Sequence, residues 1–133
     1  MINHLDHLVI TTRDLNSCID FYTRILKMEL VRFGDNRVAF TFGQQKINVH
    51  EYGNEIEPKA HLPVPGSLDI CLITDWSTEQ IKHHLEAAQI AIQEGPVTRT
   101  GAVGSITSFY LRDPDLNLIE VSHYHNNQSG ISQ

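Results

Sequence analysis

Apolar and polar side chains alternate along residues 6–12, DHLVITT, with Leu8 and Ile10 on one face and His7 and Val9 on the other. That period of two predicts a strand. Asp14 then stands as an N-cap before Leu15, Cys18, Ile19, Tyr22, Ile25 and Leu26, whose spacing predicts one amphipathic helix. Three short alternating runs follow, 29–33, 37–42 and 46–52, broken at Gly34-Asp35-Asn36 and Gly43-Gln44-Gln45. The order is strand, helix, strand, strand, strand.

Segment 53–67 holds three of the five prolines and reads as an extended linker. The order then repeats. Residues 67–74 alternate as a strand, Ser77 and Gln80 have capping-box spacing, and Ile81, His84, Leu85 and Ala88 continue as a helix. A short strand is expected at 90–93, a glycine-containing loop at 95–104, and strands at 105–111 and 118–124 around an Asp113-Pro114-Asp115 turn. The polar tail after Tyr124 is expected to fray. The pattern predicts an α+β chain, a single domain over 1–133 made of two tandem βαβββ units at 4–52 and 67–124, joined by linker 53–66. Each unit's helix covers one face of a curved mixed sheet. The other face, lining a cleft, needs the second unit or a second chain, so a homodimer is expected.

Ten Lys and Arg against sixteen Asp and Glu leave a net charge of −6, which repels nucleic-acid phosphates. No apolar run approaches the ~20 residues of a membrane span, and the first residues lack the basic start and apolar core of a signal peptide. Cys18 and Cys71 lie in apolar segments and read as buried thiols of a cytoplasmic protein.

Candidate chemistry falls on the open faces. Matching the apolar frames HLVITT and DICLIT aligns His7 with Asp69; matching LDHLVI with LDICLI instead would set Ile70 against His7. The apolar frame is preferred, because a slip of one residue turns every buried side chain outward. The last strands align as INVHEY and IEVSHY, so Asn48 matches Glu120 and His50 lies two residues along. Imidazole plus carboxylate is a donor set for a divalent transition metal. A single strand histidine is more often packed or solvated; repetition of polar residues at related places is what singles these out. His83 and His84, neighbours on a helix, point apart. HExxH, CxxC and GxGxxG are absent from the sequence, which removes the corresponding zinc, thiol and phosphate-loop readings. Arg99, in the expected loop, is a candidate for an anionic substrate group. Cys71 shares a face with Asp69 without any sign of an activated thiol.

LDHLVITTRDLNSCIDFYTRIL and SFYLRDPDLNLIEVSHY resemble the opening and close of vicinal-oxygen-chelate proteins, the superfamily of glyoxalases, bleomycin-resistance proteins and ring-cleavage dioxygenases. QKINVHEY, EPKAHLPVPGSLDICLIT and EGPVTRTGAVGSITSFYLRDPD resemble its glyoxalase-domain branch, so the likeness covers nearly the whole chain. The resemblance implies paired βαβββ units and a divalent ion (nickel, zinc, cobalt, manganese or iron) that chelates two substrate oxygens. By position it makes His7 and Glu120 metal ligands, with Asp69 where many members carry a second histidine. Asn48 replaces the fourth ligand, and His50 stands beside it. Leu116 takes the place of the usual turn glycine, which implies local backbone strain. The implied activity is that of a metal-dependent, lactoylglutathione-lyase-like lyase or isomerase acting on a small oxygenated molecule or thiol adduct. Glu120 would be ligand and base, and Arg99 a substrate contact. The alternatives are a ring-cleavage Fe(II) dioxygenase using His7, His50 and Glu120, and a small-molecule binding protein without catalysis.

Overall fold

The computed structural model describes residues 1–125, so the tail expected to fray lies outside the described residues apart from His125. Its elements are β1 (His7–Thr12), α1 (Leu15–Asp20) running on into a π-helical turn (Phe21–Ile25), β2 (Glu29–Phe33), β3 (Arg37–Phe42) and β4 (Gln45–Glu51). After the linker come β5 (Asp69–Ile73), α2 (Thr78–Ala87), β6 (Glu94–Thr100), β7 (Ser105–Arg112) and β8 (Leu118–Tyr124). Two four-stranded mixed sheets result, ordered β1-β4-β3-β2 and β5-β8-β7-β6, each with its first and last strands parallel and the rest antiparallel. The fold is α+β, as the repeated pattern predicts.

In the first unit, Met1–Leu68 with Asp113–Asn117, the Asp14 carboxylate caps α1 by accepting from Ser17 N at 3.2 Å. The helical stripe of Cys18, Phe21, Tyr22 and Ile25 is buried, as are Ile10, Val38, Phe40, Ile47 and Val49 of the sheet. The Tyr22 ring stacks on Phe40 at 5.1 Å, fixing the helix to the face that carries Phe40. His7, Val9, Thr11, Lys46, Asn48 and His50 therefore occupy the opposite face. Turn Asp113–Asn117 joins this unit through Asp115, which accepts from Thr12 Oγ1 at 2.5 Å and Arg13 N at 3.0 Å.

In the second unit, Asp69–Arg112 and from Leu118 on, the Ser77–Gln80 capping box forms as predicted. Ile81, Leu85, Ile106, Phe109, Leu111 and Ile119 make the buried apolar set. One element differs from the sequence expectation. Residues 90–93 form no strand, and the strand runs instead through Gly95 and Pro96 as β6. An edge strand tolerates a proline because one of its sides has no ladder to complete. The register shifts between Glu94 and Val97, and Gly95 sits there at φ +131°, where a Cβ would meet Ser108 O at 2.6 Å. Among the described residues, no helix is long and apolar enough to cross a membrane.

Candidate functional site

The pairing of β1 with β4 sets His7 opposite Lys46, Val9 opposite Asn48 and Thr11 opposite His50. The pairing of β5 with β8 sets Asp69 opposite Leu118 and Cys71 opposite Glu120. His7 and Asp69 thus hold equivalent places in the two sheets, as do Asn48 and Glu120, which is the apolar-frame alignment.

His7 is partly exposed, and its Nδ1 donates to Asp6 Oδ2 at 2.8 Å, leaving Nε2 for a ligand. That hydrogen bond holds the Asp6 carboxyl below its usual range. A carboxylate behind one ring nitrogen is the support metal-bound histidines commonly have. Asn48 is buried, and its Oδ1 has no hydrogen-bond partner among the described residues. His50 is only 6% exposed. Burial, with the Arg37 charge second, holds its imidazole below the usual range, while Glu55 pulls the other way. The register separates His50 from the His7 row by four residues, about 13 Å of strand at ~3.3 Å per residue. The structure does not bring these two histidines together.

Glu120, in the second unit, is held from behind. Ser108 Oγ donates to its Oε2 at 2.5 Å, Ser122 Oγ reaches the same oxygen at 3.4 Å, and the two hydroxyls lie 2.6 Å apart. Both serines are fully buried. Oε1 is the oxygen left without such a tie. A cavity of about 400 Å³ brings Glu120 together with Cys71, Arg99, Tyr110 and Tyr124. The Arg99 guanidinium donates to Tyr110 Oη and Glu94 Oε2, each at 3.1 Å. Cys71, expected as a buried thiol, is exposed because it lies on the open face of its sheet, unlike buried Cys18. Partial desolvation still raises its thiol, whose Sγ lies 3.4 Å from Ser122 Oγ. Asp69 is exposed on the same face, one row from Glu120.

Among the described residues, no three His, Cys, Asp or Glu side chains gather as a metal cluster. The individual donors nonetheless suit a divalent ion: His7 Nε2 and Glu120 Oε1 are each oriented by a partner on the neighbouring atom. Sequence reasoning missed Ser108, Tyr110 and Thr11. Alternation assigns a face to each, but only the strand pairing shows what each faces.

A model of the Glyoxalase/Bleomycin resistance protein/Dioxygenase superfamily matches residues 4–121. The glyoxalase domain-containing protein RDO1 of Mycosarcoma maydis is 54% identical over 123 residues, 92% of this chain and 69% of that protein. The virulence protein STM3117 of Salmonella typhimurium is 49% identical over 124 residues, 93% of this chain and 86% of that protein. Its crystal structure superposes with a TM-score of 0.92, covering 94% of this chain and 99% of that one. Lactoylglutathione lyase from Agrobacterium tumefaciens shares the fold at 20% identity and a TM-score of 0.72, over 99% of this chain and 100% of that one.

Proposed function

The chain belongs to the Glyoxalase/Bleomycin resistance protein/Dioxygenase superfamily, and from that premise we propose that it is a metal-dependent glyoxalase-like lyase or isomerase of a small oxygenated substrate. The observation that carries this reading is the Glu120 carboxylate. One oxygen is pinned by Ser108, and the side chain lines a cavity shared with the Arg99 guanidinium. A proton shuttle needs such a group, fixed in direction and able to reach a bound molecule.

His7, Asp69 and Glu120 are the proposed donors to the ion. His50 is left out, because its row lies too far from His7 for one ion to take both. A bound divalent ion would polarise two adjacent substrate oxygens and stabilise the charge of an enediolate. Glu120 moves the proton between the adjacent carbons. Ser108 keeps the carboxylate from rotating, and Arg99 draws an anionic group of the substrate, such as the carboxylate of a thiol adduct. Cys18 and Cys71 are both free, in keeping with a reducing cytoplasm. We also propose a homodimer, supported by the apolar Val9, Val31 and Ile73 exposed on the two sheets; a monomer by light scattering at micromolar concentration would count against it.

The test combines elemental analysis of the purified protein with turnover of a hemithioacetal panel. Bound nickel, zinc, cobalt or manganese with hemithioacetal turnover is expected. A metal-loaded protein that ignores every hemithioacetal, and consumes oxygen with a catechol, would replace this reading with the dioxygenase one.

A further inference from the structure

The first unit contains a cavity of about 470 Å³ between the ends of β1 and β4 and the proline-rich linker. It lies within the range of small-molecule sites. Its walls are largely apolar, with Val9, Pro58, Leu62, Pro63, Val64 and Leu68. Two side chains at its buried end are of a different kind. Thr11 is 8% exposed and His50 6%, they face each other across the β1–β4 ladder, and both line the cavity. Among the described residues the enclosed side-chain atom without a partner is Asn48 Oδ1. The Thr11 hydroxyl and the His50 ring, tied by no side-chain hydrogen bond among those residues, keep their polar atoms open to the cavity, where a bound group can reach them.

The other polar groups of the wall are already engaged. Asn117 donates from Nδ2 to Asp113 Oδ2 at 2.8 Å and accepts at Oδ1 from Leu68 N at 2.8 Å. The Ser67 hydroxyl donates to Val64 O at 2.7 Å. Lys59 carries the one formal charge of the wall, and Glu55 and Glu57 balance it at 3.6 and 3.7 Å. An ionic ligand therefore finds no uncompensated charge, and a cation meets the Lys59 ammonium and only one imidazole.

We infer that this cavity is a binding site for an uncharged, mainly apolar molecule bearing a hydroxyl, the hydroxyl bonding to Thr11 and His50 and the apolar body resting on the linker. A hydroxyl both donates and accepts, so it complements an imidazole and a threonine hydroxyl together. The site does not depend on the metal chemistry proposed above.

Three probes of one shape separate the possibilities: 2-naphthol, naphthalene and 2-naphthoate, titrated into the full chain with the Thr11 methyl and His50 ring followed by NMR. 2-Naphthol is expected to shift both signals saturably, and to bind roughly tenfold more tightly than naphthalene, the scale of one or two net hydrogen bonds. 2-Naphthoate is expected to bind more weakly than 2-naphthol. Thr11→Val should weaken 2-naphthol by about threefold to tenfold. Leu62→Trp, a change at an exposed side chain on the cavity wall, should block it while leaving the rest of the spectrum in place. A chelator should change nothing. The inference is overturned if 2-naphthol leaves the Thr11 and His50 signals unmoved, if naphthalene binds as tightly, if the naphthoate binds better, or if Leu62→Trp binds normally. Loss of binding on chelation would equally overturn a separate site.

Discussion

Tyr22 and Asp113, ninety-one residues apart in the chain, meet in a buried hydrogen bond: the phenol donates to Asp113 Oδ2 at 2.7 Å. The same carboxylate accepts from Asp115 N, Asn117 N and Asn117 Nδ2, at 2.9, 2.9 and 2.8 Å. Burial beside Asp113 pushes the Tyr22 phenol far above its usual range, so it stays a donor at every pH of interest. A carboxylate so far from solvent depends on all its donors.

Tyr22→Phe removes one of them and leaves the ring stacked on Phe40. The expected loss is about 1.5–3 kcal/mol, the usual worth of a hydrogen bond to a charged group. Urea unfolding midpoints of wild type and variant measure it, and equal midpoints would show the bond to be dispensable.

Leu116 stands in the same turn at φ +70°, the left-handed conformation that the turn glycine of the superfamily would adopt without strain. Leu116→Gly should raise stability by up to about 1 kcal/mol, relief of backbone strain being partly offset by the greater freedom of glycine when unfolded. A lower melting temperature for this variant would contradict that account.

Burial pushes the Cys18 thiol up to about 12, so it stays protonated and inaccessible near neutrality. Cys71 is the more exposed thiol. Native protein should react with a disulfide reagent at one thiol, Cys71, and at both only after unfolding. Prompt native labelling of Cys18 in a Cys71→Ser variant would refute this.

Hydrogen bonds from the Ser17 backbone and hydroxyl hold the Asp14 carboxyl below its usual range. A depressed folded value means the folded state binds that proton less tightly than the unfolded chain. Its contribution is therefore present above about pH 4 and is lost as pH falls through the folded value. Asp14→Asn keeps a capping oxygen without the charge, and its stability should decline less steeply on acidification. Parallel slopes for the two proteins would count against the capping carboxylate.

For the proposed chemistry, Glu120→Gln assayed with metal in excess should lose roughly two to four orders of magnitude of hemithioacetal turnover, the scale of deleting a general base. Wild-type turnover in that variant would remove Glu120 from the role. His7→Ala should lose bound metal while remaining folded, since His7 lies outside the buried core.

Short-range pattern made most of the fold legible. The strands around Leu8 and Ile10, the capped helices and the repeated order all follow from local periodicity. It failed at β6, where Gly95 and Pro96 look like loop residues and only edge placement and a bulge make them a strand. His7 and Glu120 stand out because alternation assigns their faces. The serines behind Glu120, and the pairing of Thr11 with His50, depend on register between strands far apart in sequence, which no local pattern encodes. The placement of turn Asp113–Asn117 with the first unit was hidden for the same reason.

That turn bears on how the protein is made. The chain passes from the first unit to the second after Leu68, returns at Asp113 and leaves again after Asn117. During synthesis, the amino-terminal half emerges from the ribosome long before the carboxylate that Tyr22 needs has been translated. Until residues 113–117 clear the exit tunnel, a nascent first unit holds a phenol without its acceptor, and Asp115 is not yet there to bind Thr12 and Arg13. Completion of the earlier half therefore waits on nearly the last segment of the later one, and a fragment ending in the linker would carry the helix and sheet without the turn that locks them.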